Sequence, residues 1–238
     1  VVHGDFNTIG MPFSCCDVLA SALTFDKYVC NQFLRNFDIA VAPSVVLRHR
    51  QTISNADIIE NLGLPLFVKP SAGGSSFGIT KVKEADQLSL AIEKAFKESD
   101  EVVVESFIAG TEVTCGMYKT RRKTVVLPVT EVVSKNEFFD YDAKYNGQVE
   151  EITPARIAEE TARRVAEETA RIYELLGCNG IIRIDYILTK EPDGTDKINL
   201  IEVNTTPGMT PTSFIPQQVR AAGMEMKDVL SDIVENQF

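Results

Sequence analysis

Two extended segments joined by a short turn restrict the fold more than any other feature of the chain. Residues 180–188 (GIIRIDYIL) and 197–203 (KINLIEV) are rich in branched apolar residues, and Pro192, Asp193 and Gly194 lie between them. Branched and aromatic side chains favour strands, whereas Pro, Asp and Gly favour turns. We therefore predict a hairpin of two neighbouring strands.

The second of these segments ends in polar side chains. Ile198, Leu200, Glu202 and Asn204 are spaced two residues apart, and alternate side chains of a strand lie on one face. We therefore expect all four on one face, with a carboxylate and an amide at its end. A Pro-Gly pair follows shortly afterwards.

The first segment carries a matching polar pair. Arg183 and Asp185 occupy one face of its strand, opposite to a face of apolar residues. If the strands are neighbours, Asp185, Glu202 and Asn204 converge as an all-oxygen site of the kind that Mg²⁺ or Mn²⁺ prefers. The alternative is a surface salt bridge between Arg183 and Glu202, with Asn204 as a turn residue.

A glycine-rich segment follows another predicted strand, in FVKPSAGGSSFG at residues 67–78. Lys69 supplies a cation, the glycines expose backbone N–H groups, and Ser75 and Ser76 add hydroxyl donors, a combination typical of phosphate binding. The pattern is neither a P-loop nor a dinucleotide fingerprint, because the lysine precedes the glycines and a strand follows them. A flexible hairpin tip is the alternative.

Two further stretches combine charge with apolar residues. In VVVESFIAGTEV, Glu105 ends a strand and Glu112 follows a turn, so the two carboxylates could bind an adenine amino group and ribose hydroxyls, or could simply be solvated. In FFDYDAKYNG, residues 138–147, aromatic and charged residues alternate, which favours a lid that brings Lys144 to an anion. A plain surface loop would expose Phe138 and Phe139.

Helices and hairpins alternate along the chain, which indicates an α+β or mixed α/β class. The clearest helix is expected from Thr153 as N-cap and Pro154 at the first helical position to Gly177. His3-Gly4 is expected at the end of a strand. No Ser-His-Asp set, zinc-ligand spacing or Cys-His nucleophile is apparent in the sequence.

The amino-acid composition limits the classes of partner that we expect the protein to bind. A net charge of −10 argues against nucleic acid and anionic membranes as partners, and the apolar runs are too short for a membrane span. The odd number of cysteines without a CxxC pair argues against a disulfide framework and favours a cytoplasmic location. The cysteines are Cys15, Cys16, Cys30, Cys115 and Cys178.

Six ordered motifs together resemble the D-alanine–D-alanine ligases of the ATP-grasp superfamily: SALTFDK, FVKPSAGGSSFG, VVVESFIAGTEV, FFDYDAKY, GIIRIDYIL and LIEVNTTPGMTPTS, spanning residues 21–213. The resemblance implies two subdomains that grip ATP between antiparallel sheets. It divides the chain into a remnant of the N-terminal α/β substrate domain at 1–20, a central subdomain at 21–108 and a C-terminal subdomain at 109–238.

The resemblance also implies roles for residues. The ATP-binding set comprises Lys27, Lys69, Ser75, Ser76, Glu105, Phe107, Ile108, Glu112 and Lys144. The implied ligands of two Mg²⁺ or Mn²⁺ ions are Asp185, Glu202 and Asn204. The catalytic set comprises Arg183, Gly208, Ser75 and Tyr145. The implied substrate-binding residues are His3, Ser213 and Phe214.

The implied activity is ATP-dependent ligation of two D-alanines through an acylphosphate, for peptidoglycan precursor synthesis. The partners are ATP and D-alanine, and a homodimer is a candidate assembly. One departure is that the family's acidic, glycine-containing loop and helix do not follow His3-Gly4. The alternatives are a ligase with D-lactate, D-serine or another acceptor, and a catalytically incomplete nucleotide-binding fragment.

Overall fold

The computed structural model describes residues 2–49, 53–74, 77–134 and 149–238. These residues form two compact units. The four-stranded unit comprises residues 25–110 with 134 and 149–150, and the six-stranded unit comprises residues 2–24, 111–133 and 151–238. The chain passes between the units at Thr24/Phe25 and Gly110/Thr111. The expected domain boundaries at 20/21 and 108/109 stay a prediction.

The helices in chain order are α1 (Val2–Thr8), α2 (Val18–Phe25), α3 (Lys27–Arg35), α4 (Asn55–Leu62), α5 (Leu88–Ala95), α6 (Glu159–Leu175), α7 (Phe214–Ala221) and α8 (Met226–Glu235). A 3₁₀ turn, Ala85–Gln87, precedes α5. None of the helices described combines the length and hydrophobicity that a membrane crossing requires.

The strands in chain order are β1 (Ser44–Arg48), β2 (Leu66–Pro70), β3 (Thr80–Val82), β4 (Glu101–Ser106), β5 (Thr111–Lys119), β6 (Thr124–Val126), β7 (Thr130–Ser134), β8 (Val149–Ile152), β9 (Gly180–Lys190) and β10 (Asp196–Asn204). The smaller sheet has the order β1-β4-β2-β3. The larger sheet has the order β10-β9-β5-β7-β8, with β6 paired to β5. The predicted β9–β10 hairpin and the α+β class are confirmed.

In the four-stranded unit, helices α4 and α5 cover one face of the sheet. Ile58 of α4 and Leu88 of α5 are fully buried with Leu66, Val68 and Val104 from the strands. Burying each large aliphatic side chain contributes about 1.5–3 kcal/mol. The opposite face of this sheet is left to the polar residues described below.

In the six-stranded unit, α6 lies on one face of the sheet and α7 on the other. On the α6 face, the hydroxyls of Thr169 and the fully buried Tyr186 are 2.8 Å apart. On the other face, α7 approaches β5 so closely that a Cβ on Gly116 would lie 2.5 Å from Ile215 Cδ1. A larger residue at position 116 would therefore force the buried side chains of Ile215 and Gln218 to move.

The start of α6 differs from the prediction. The helix begins at Glu159, not after Thr153. Instead, the Thr153 and Thr130 hydroxyls are 2.6 Å apart, and Ala155 N–H donates to Val129 O at 2.8 Å. The sheet edge therefore holds the backbone before α6 and overrides the local Thr-Pro helix-start signal.

Candidate active site

The β9–β10 hairpin contains a β-bulge that decides which side chains share a face. Leu200 lies opposite Tyr186, but Glu202 lies opposite Asp185, so one extra residue, Ile201, is inserted into β10 between the two pairs. Directly opposed residues of an antiparallel pair share a face, and a bulge shifts the alternation by one. The expectation that Ile198, Leu200, Glu202 and Asn204 share one face is therefore wrong.

The bulge divides β10 into a part that packs in the core and a part that carries polar side chains of the site. The residues before it, Ile198 and Leu200, lie on the buried α6 face with Tyr186. The residues after it, Glu202 and Asn204, lie on the opposite face. That is the face that carries the polar residues of β9.

Asp185 is the centre of the resulting cluster. Arg183 donates from Nε to Oδ1 and from Nη2 to Oδ2, both at 2.8 Å. Asn204 Nδ2 donates to Asp185 Oδ2 at 3.0 Å and to Glu202 Oε1 at 3.4 Å. Thr114 Oγ1, on the neighbouring strand β5, donates to Asp185 Oδ1 at 2.5 Å. The structure thus brings together the predicted set, and it adds Thr114, which the sequence analysis missed.

The carboxylates around Arg183 stabilise its positive charge. Both Arg183 and Asp185 side chains are only 12% exposed, and they form the ion pair here, rather than Arg183 with Glu202. Burial alone would lower the pKa of Arg183, but the carboxylates of Asp185, Glu202 and Glu112 raise it above its ordinary value. The guanidinium is therefore a permanent, fixed cation.

Glu112 belongs to the same face of the six-stranded unit. It lies on β5 two residues before Thr114, so the two side chains share a face by strand alternation. Its charge also contributes to the raised pKa of Arg183. The predicted ribose ligand is thus near the predicted catalytic arginine.

Asp185, Glu202 and Asn204 suit a divalent cation by donor chemistry. Two carboxylates and an amide provide hard oxygen ligands, which Mg²⁺ and Mn²⁺ prefer. In the part of the chain that the structure describes, no group of three or more His, Cys, Asp or Glu residues forms a metal-binding cluster. Three protein ligands fill only part of an octahedral shell, so an ion held by Asp185, Glu202 and Asn204 would take its remaining ligands from water and phosphate.

The loop after β10 is packed closely against the start of α7. A Cβ on Gly208 would lie 2.8 Å from Ser213 Oγ, and that hydroxyl is 2.8 Å from Thr210 Oγ1. Phe214, the first residue of α7, places its ring 5.1 Å from the Arg183 guanidinium carbon. Three predicted site residues, Gly208, Ser213 and Phe214, are therefore adjacent to one another or to Arg183.

In the four-stranded unit, Lys69 and Glu105 form an ion pair whose side chains are 11% and 13% exposed. Phe67 lies opposite Glu105 on the neighbouring strand, and its ring meets Phe107 edge-on at 5.7 Å. Lys81 Nζ, which the sequence analysis missed, lies 3.8 Å above the Phe107 ring. Lysines and aromatic rings thus line one face of this sheet beside the carboxylate.

Lys27 is tied to the beginning of the glycine-rich segment. Its Nζ donates to Gly73 O at 2.8 Å and its backbone N–H to Ser71 O at 2.9 Å. Asp26 caps α3 by accepting from Val29 N–H at 3.0 Å, and it accepts from Ser71 Oγ at 2.7 Å. The two predicted phosphate elements are therefore joined, through an Asp26–Ser71 contact that no local sequence signal indicated.

The remaining predicted residues differ in outcome. Ile108 follows Phe107 and is half-buried. Ser75, Ser76, Lys144 and Tyr145, and with them the predicted lid, lie outside the described residues. His3 lies within α1, so the expected strand-end position is wrong.

Known proteins are similar to this chain over its whole length. Residues 33–235 match a family model described as "D-ala D-ala ligase C-terminus". The D-alanine–D-alanine ligase of Bacteroides fragilis is 61% identical over 237 residues, which are 100% of this chain and 72% of that protein.

Two solved structures are similar over the same length. The VanG D-Ala:D-Ser ligase of Enterococcus faecalis has a TM-score of 0.87 at 37% identity, covering 100% of this chain and 68% of that one. The D-alanine–D-alanine ligase of Bacillus anthracis complexed with ATP has a TM-score of 0.82 at 30% identity, covering 100% and 74%.

Proposed function

The chain belongs to the D-alanine–D-alanine ligase family, and from this premise we propose that it joins two D-alanines to D-alanyl-D-alanine with ATP, for peptidoglycan precursors. The observation that carries the proposal is the cluster of Arg183, Asp185, Glu202 and Asn204 on one face of the β9–β10 hairpin. Phosphoryl transfer between two anions needs fixed positive charge and oxygen ligands in one place.

In the reaction, the carboxylate of the first D-alanine attacks the γ-phosphorus of ATP, ADP leaves, and an acylphosphate forms. The amine of the second D-alanine then attacks the acyl carbon. Inorganic phosphate leaves and the amine loses a proton, which completes the peptide bond. The protein contributes mainly by positioning the reactants and by offsetting the repulsion between carboxylate and triphosphate.

We assign Arg183 to contact the reacting groups. Its two hydrogen bonds to Asp185 hold the guanidinium in one orientation, so it stabilises developing negative charge without first reorganising. We assign the Gly208 backbone N–H to stabilise the same negative charge. We assign Ser213 and Phe214 to bind the second D-alanine. The contacts of Gly208 with Ser213 and of Phe214 with Arg183 support this grouping.

Asp185, Glu202 and Asn204 would hold the divalent ions, two Mg²⁺ or Mn²⁺ per site. Bound there, the ions would neutralise phosphate oxygens and polarise the γ-phosphate. Thr114 and Arg183 keep Asp185 oriented for this purpose.

We assign nucleotide binding to the four-stranded unit. Lys27 and Lys69 would bind phosphates, Glu105 the adenine amino group, and Phe107 and Ile108 the base. Glu112 of the six-stranded unit is assigned the ribose. The nearly buried Lys69–Glu105 pair supports the adenine-side assignment, because a bound base can replace water around both groups.

Several assignments rest on the family resemblance alone. We assign Ser75 and Ser76 to closure over the triphosphate, Lys144 and Tyr145 to the lid, and His3 to the first D-alanine. The resemblance likewise supports a homodimer and a cytoplasmic location. The acceptor is D-alanine, and Tyr145 is assigned to favour an amine over the hydroxyl of D-lactate.

Phosphate release by the protein tests the proposal. ATP with D-alanine should give stoichiometric ADP, phosphate and dipeptide, and should give far less with L-alanine, D-serine or D-lactate. Faster turnover with another acceptor would replace the substrate assignment. Absence of phosphate release with every acceptor would refute ligase activity.

A further inference from the structure

Cys15 and His3 form a close pair in the six-stranded unit, and the Cys15 thiol has no assigned role in the ligase reaction. Cys15 Sγ is 3.1 Å from His3 Nε2, and His3 Nδ1 is 3.4 Å from Ser21 Oγ. Ser21 donates its own hydroxyl proton to Cys16 O at 3.2 Å. Ser21 Oγ therefore accepts from Nδ1–H, which leaves the lone pair of Nε2 directed at the Cys15 thiol.

Aromatic stacking fixes the imidazole in this position. The rings of His3 and Phe13 are parallel within 3° at a centroid distance of 5.3 Å, and Phe6 meets Phe13 at 6.0 Å. Stacking restricts rotation of the His3 ring about its χ2 angle. The base is thus held ready beside the thiol.

The pair lies beside a cavity of about 400 Å³. Amides dominate its polar lining, one carboxylate is present, and the remaining walls are apolar. Such a lining suits a small ligand with peptide amides and an ammonium group. The lining residues include Asn7, Phe13, Cys15, Asp17, Asn179 and Gln237.

The environment of Cys15 makes a neighbouring base necessary. Burial raises the pKa of its thiol, and the electrostatic influence of Cys16 raises it further. A thiol must become a thiolate to act as a nucleophile. Without proton transfer to His3, Cys15 would therefore react more slowly than a solvated thiol.

We propose that Cys15, with His3 as general base, is a thiol–disulfide exchange site for low-molecular-weight disulfides that enter this cavity. His3 Nε2 takes the Cys15 proton, and the thiolate attacks one sulfur of the disulfide. The S–S bond breaks, Cys15 is oxidised to a mixed disulfide, and the other half leaves as a thiolate that takes the proton from His3. No further oxidant is required.

The chain contains its own comparison thiols. Cys178 is half-buried like Cys15 and lies beside the Cys16 thiol, whereas Cys16, Cys30 and Cys115 are buried. Site-resolved labelling can therefore separate base-assisted reaction from simple exposure. Labelling of the buried thiols reports unfolding.

The experiment is incubation of the full chain with oxidised glutathione, followed by peptide mass spectrometry over time. We expect the mixed disulfide on Cys15 first, no adduct there in Cys15→Ser, and unchanged Cys15 labelling in the matched control Cys178→Ser. His3→Asn should slow Cys15 by at least about tenfold and leave the Cys178 rate unchanged. Ser21→Ala should slow Cys15 by a smaller factor.

Three outcomes would overturn the proposal. They are faster reaction at Cys178 than at Cys15, an unchanged Cys15 rate in His3→Asn, and no adduct on Cys15. If His3→Asn exposes Cys16, Cys30 or Cys115, the variant has unfolded. Ser21→Ala then decides, and an unchanged Cys15 rate in that variant also contradicts the proposal.

Discussion

Arg183 binds Asp185, two residues along the same strand, through two parallel hydrogen bonds of 2.8 Å. The two hydrogen bonds come from two nitrogens of one planar guanidinium. A lysine side chain has a single nitrogen, so it can replace the charge but not this paired geometry. Arg183→Lys should therefore lower kcat by about 100-fold or more while the protein stays folded. The measurement is steady-state phosphate release, with the melting temperature as a check on folding.

The matched control is Arg171→Lys on α6. Arg171 forms a looser ion pair, 3.6 Å from Glu168, and its side chain is 49% exposed. Exposed pairs contribute little to stability or geometry. Activity should be unchanged in this variant, and equal losses in both variants would remove the special role of Arg183.

Glu202 tests the metal assignment. Glu202→Gln keeps the shape of the side chain but removes a negative ligand, so turnover should fall by about 100-fold and respond only weakly to added Mg²⁺. A magnesium titration of activity measures this. Glu160→Gln, an exposed glutamate on α6, should behave as wild type. A normal Mg²⁺ titration curve in Glu202→Gln would exclude Glu202 as a ligand.

Gly208 tests whether the loop after β10 positions the acceptor. A Cβ there would lie 2.8 Å from Ser213 Oγ and 3.4 Å from Ser213 Cβ, so Gly208→Ala must displace the hydroxyl. KM for the second D-alanine should rise more than KM for ATP. The Ser213→Ala background removes the closest contact, so Gly208→Ala should raise this KM by a smaller factor there than in the wild type. An equal factor in both backgrounds would show that the Ser213 contact is not the cause.

The ion pair between Arg156 and Glu131 gives a pH-dependent stability. Hydrogen bonds from the Arg156 side chain lower the pKa of Glu131 below its ordinary value of 4.5. Because the folded pKa is depressed, the stabilisation is complete above about pH 4.5 and is lost as pH falls through the folded pKa.

Glu131→Gln should therefore reduce the free energy of unfolding by about 1 kcal/mol at pH 7. The difference from wild type should shrink as pH falls below 4.5. Urea unfolding at several pH values measures it, with the exposed Glu93→Gln on α5 as control. A difference that is constant with pH would assign the effect to packing instead.

The sequence predicted what depends on local spacing. The hairpin, the polar pair of β9 and the polar end of β10 follow from alternation and turn chemistry over a few residues. The bulge at Ile201 could not be predicted this way, because counting in twos assumes that no residue is inserted. It nevertheless determines that Glu202 joins Asp185.

Long-range contacts account for the other misses. Thr114 reaches Asp185 across 71 positions, and Ser71 reaches Asp26 across 45. The strong Thr-Pro start signal at 153 failed because the sheet edge offered backbone partners that the local sequence does not reveal. Pairwise proximity of this kind is a property of the folded chain, and a single sequence does not encode it in any short pattern.

Lys81 is the last residue that the sequence did not indicate, and it gives a test of the nucleotide assignment. Its Nζ lies 3.8 Å above the Phe107 ring, a cation–π contact that holds the ring proposed to meet the adenine base. Such contacts contribute about 0.5–2 kcal/mol. Lys81→Met keeps the length of the side chain and removes the charge, so the Kd for ATP should rise by about 2- to 30-fold.

The Lys81 effect should be confined to nucleotide binding, because Lys81 lies in the four-stranded unit and is not assigned to either D-alanine. We therefore expect KM for D-alanine to be unchanged. Titration calorimetry with ATP and with ADP measures the effect, and the two losses should be equal, since the base is common to both. Lys94→Met, an exposed lysine on α5, is the control for charge alone. A selective loss of ATP over ADP binding would instead place Lys81 at the γ-phosphate.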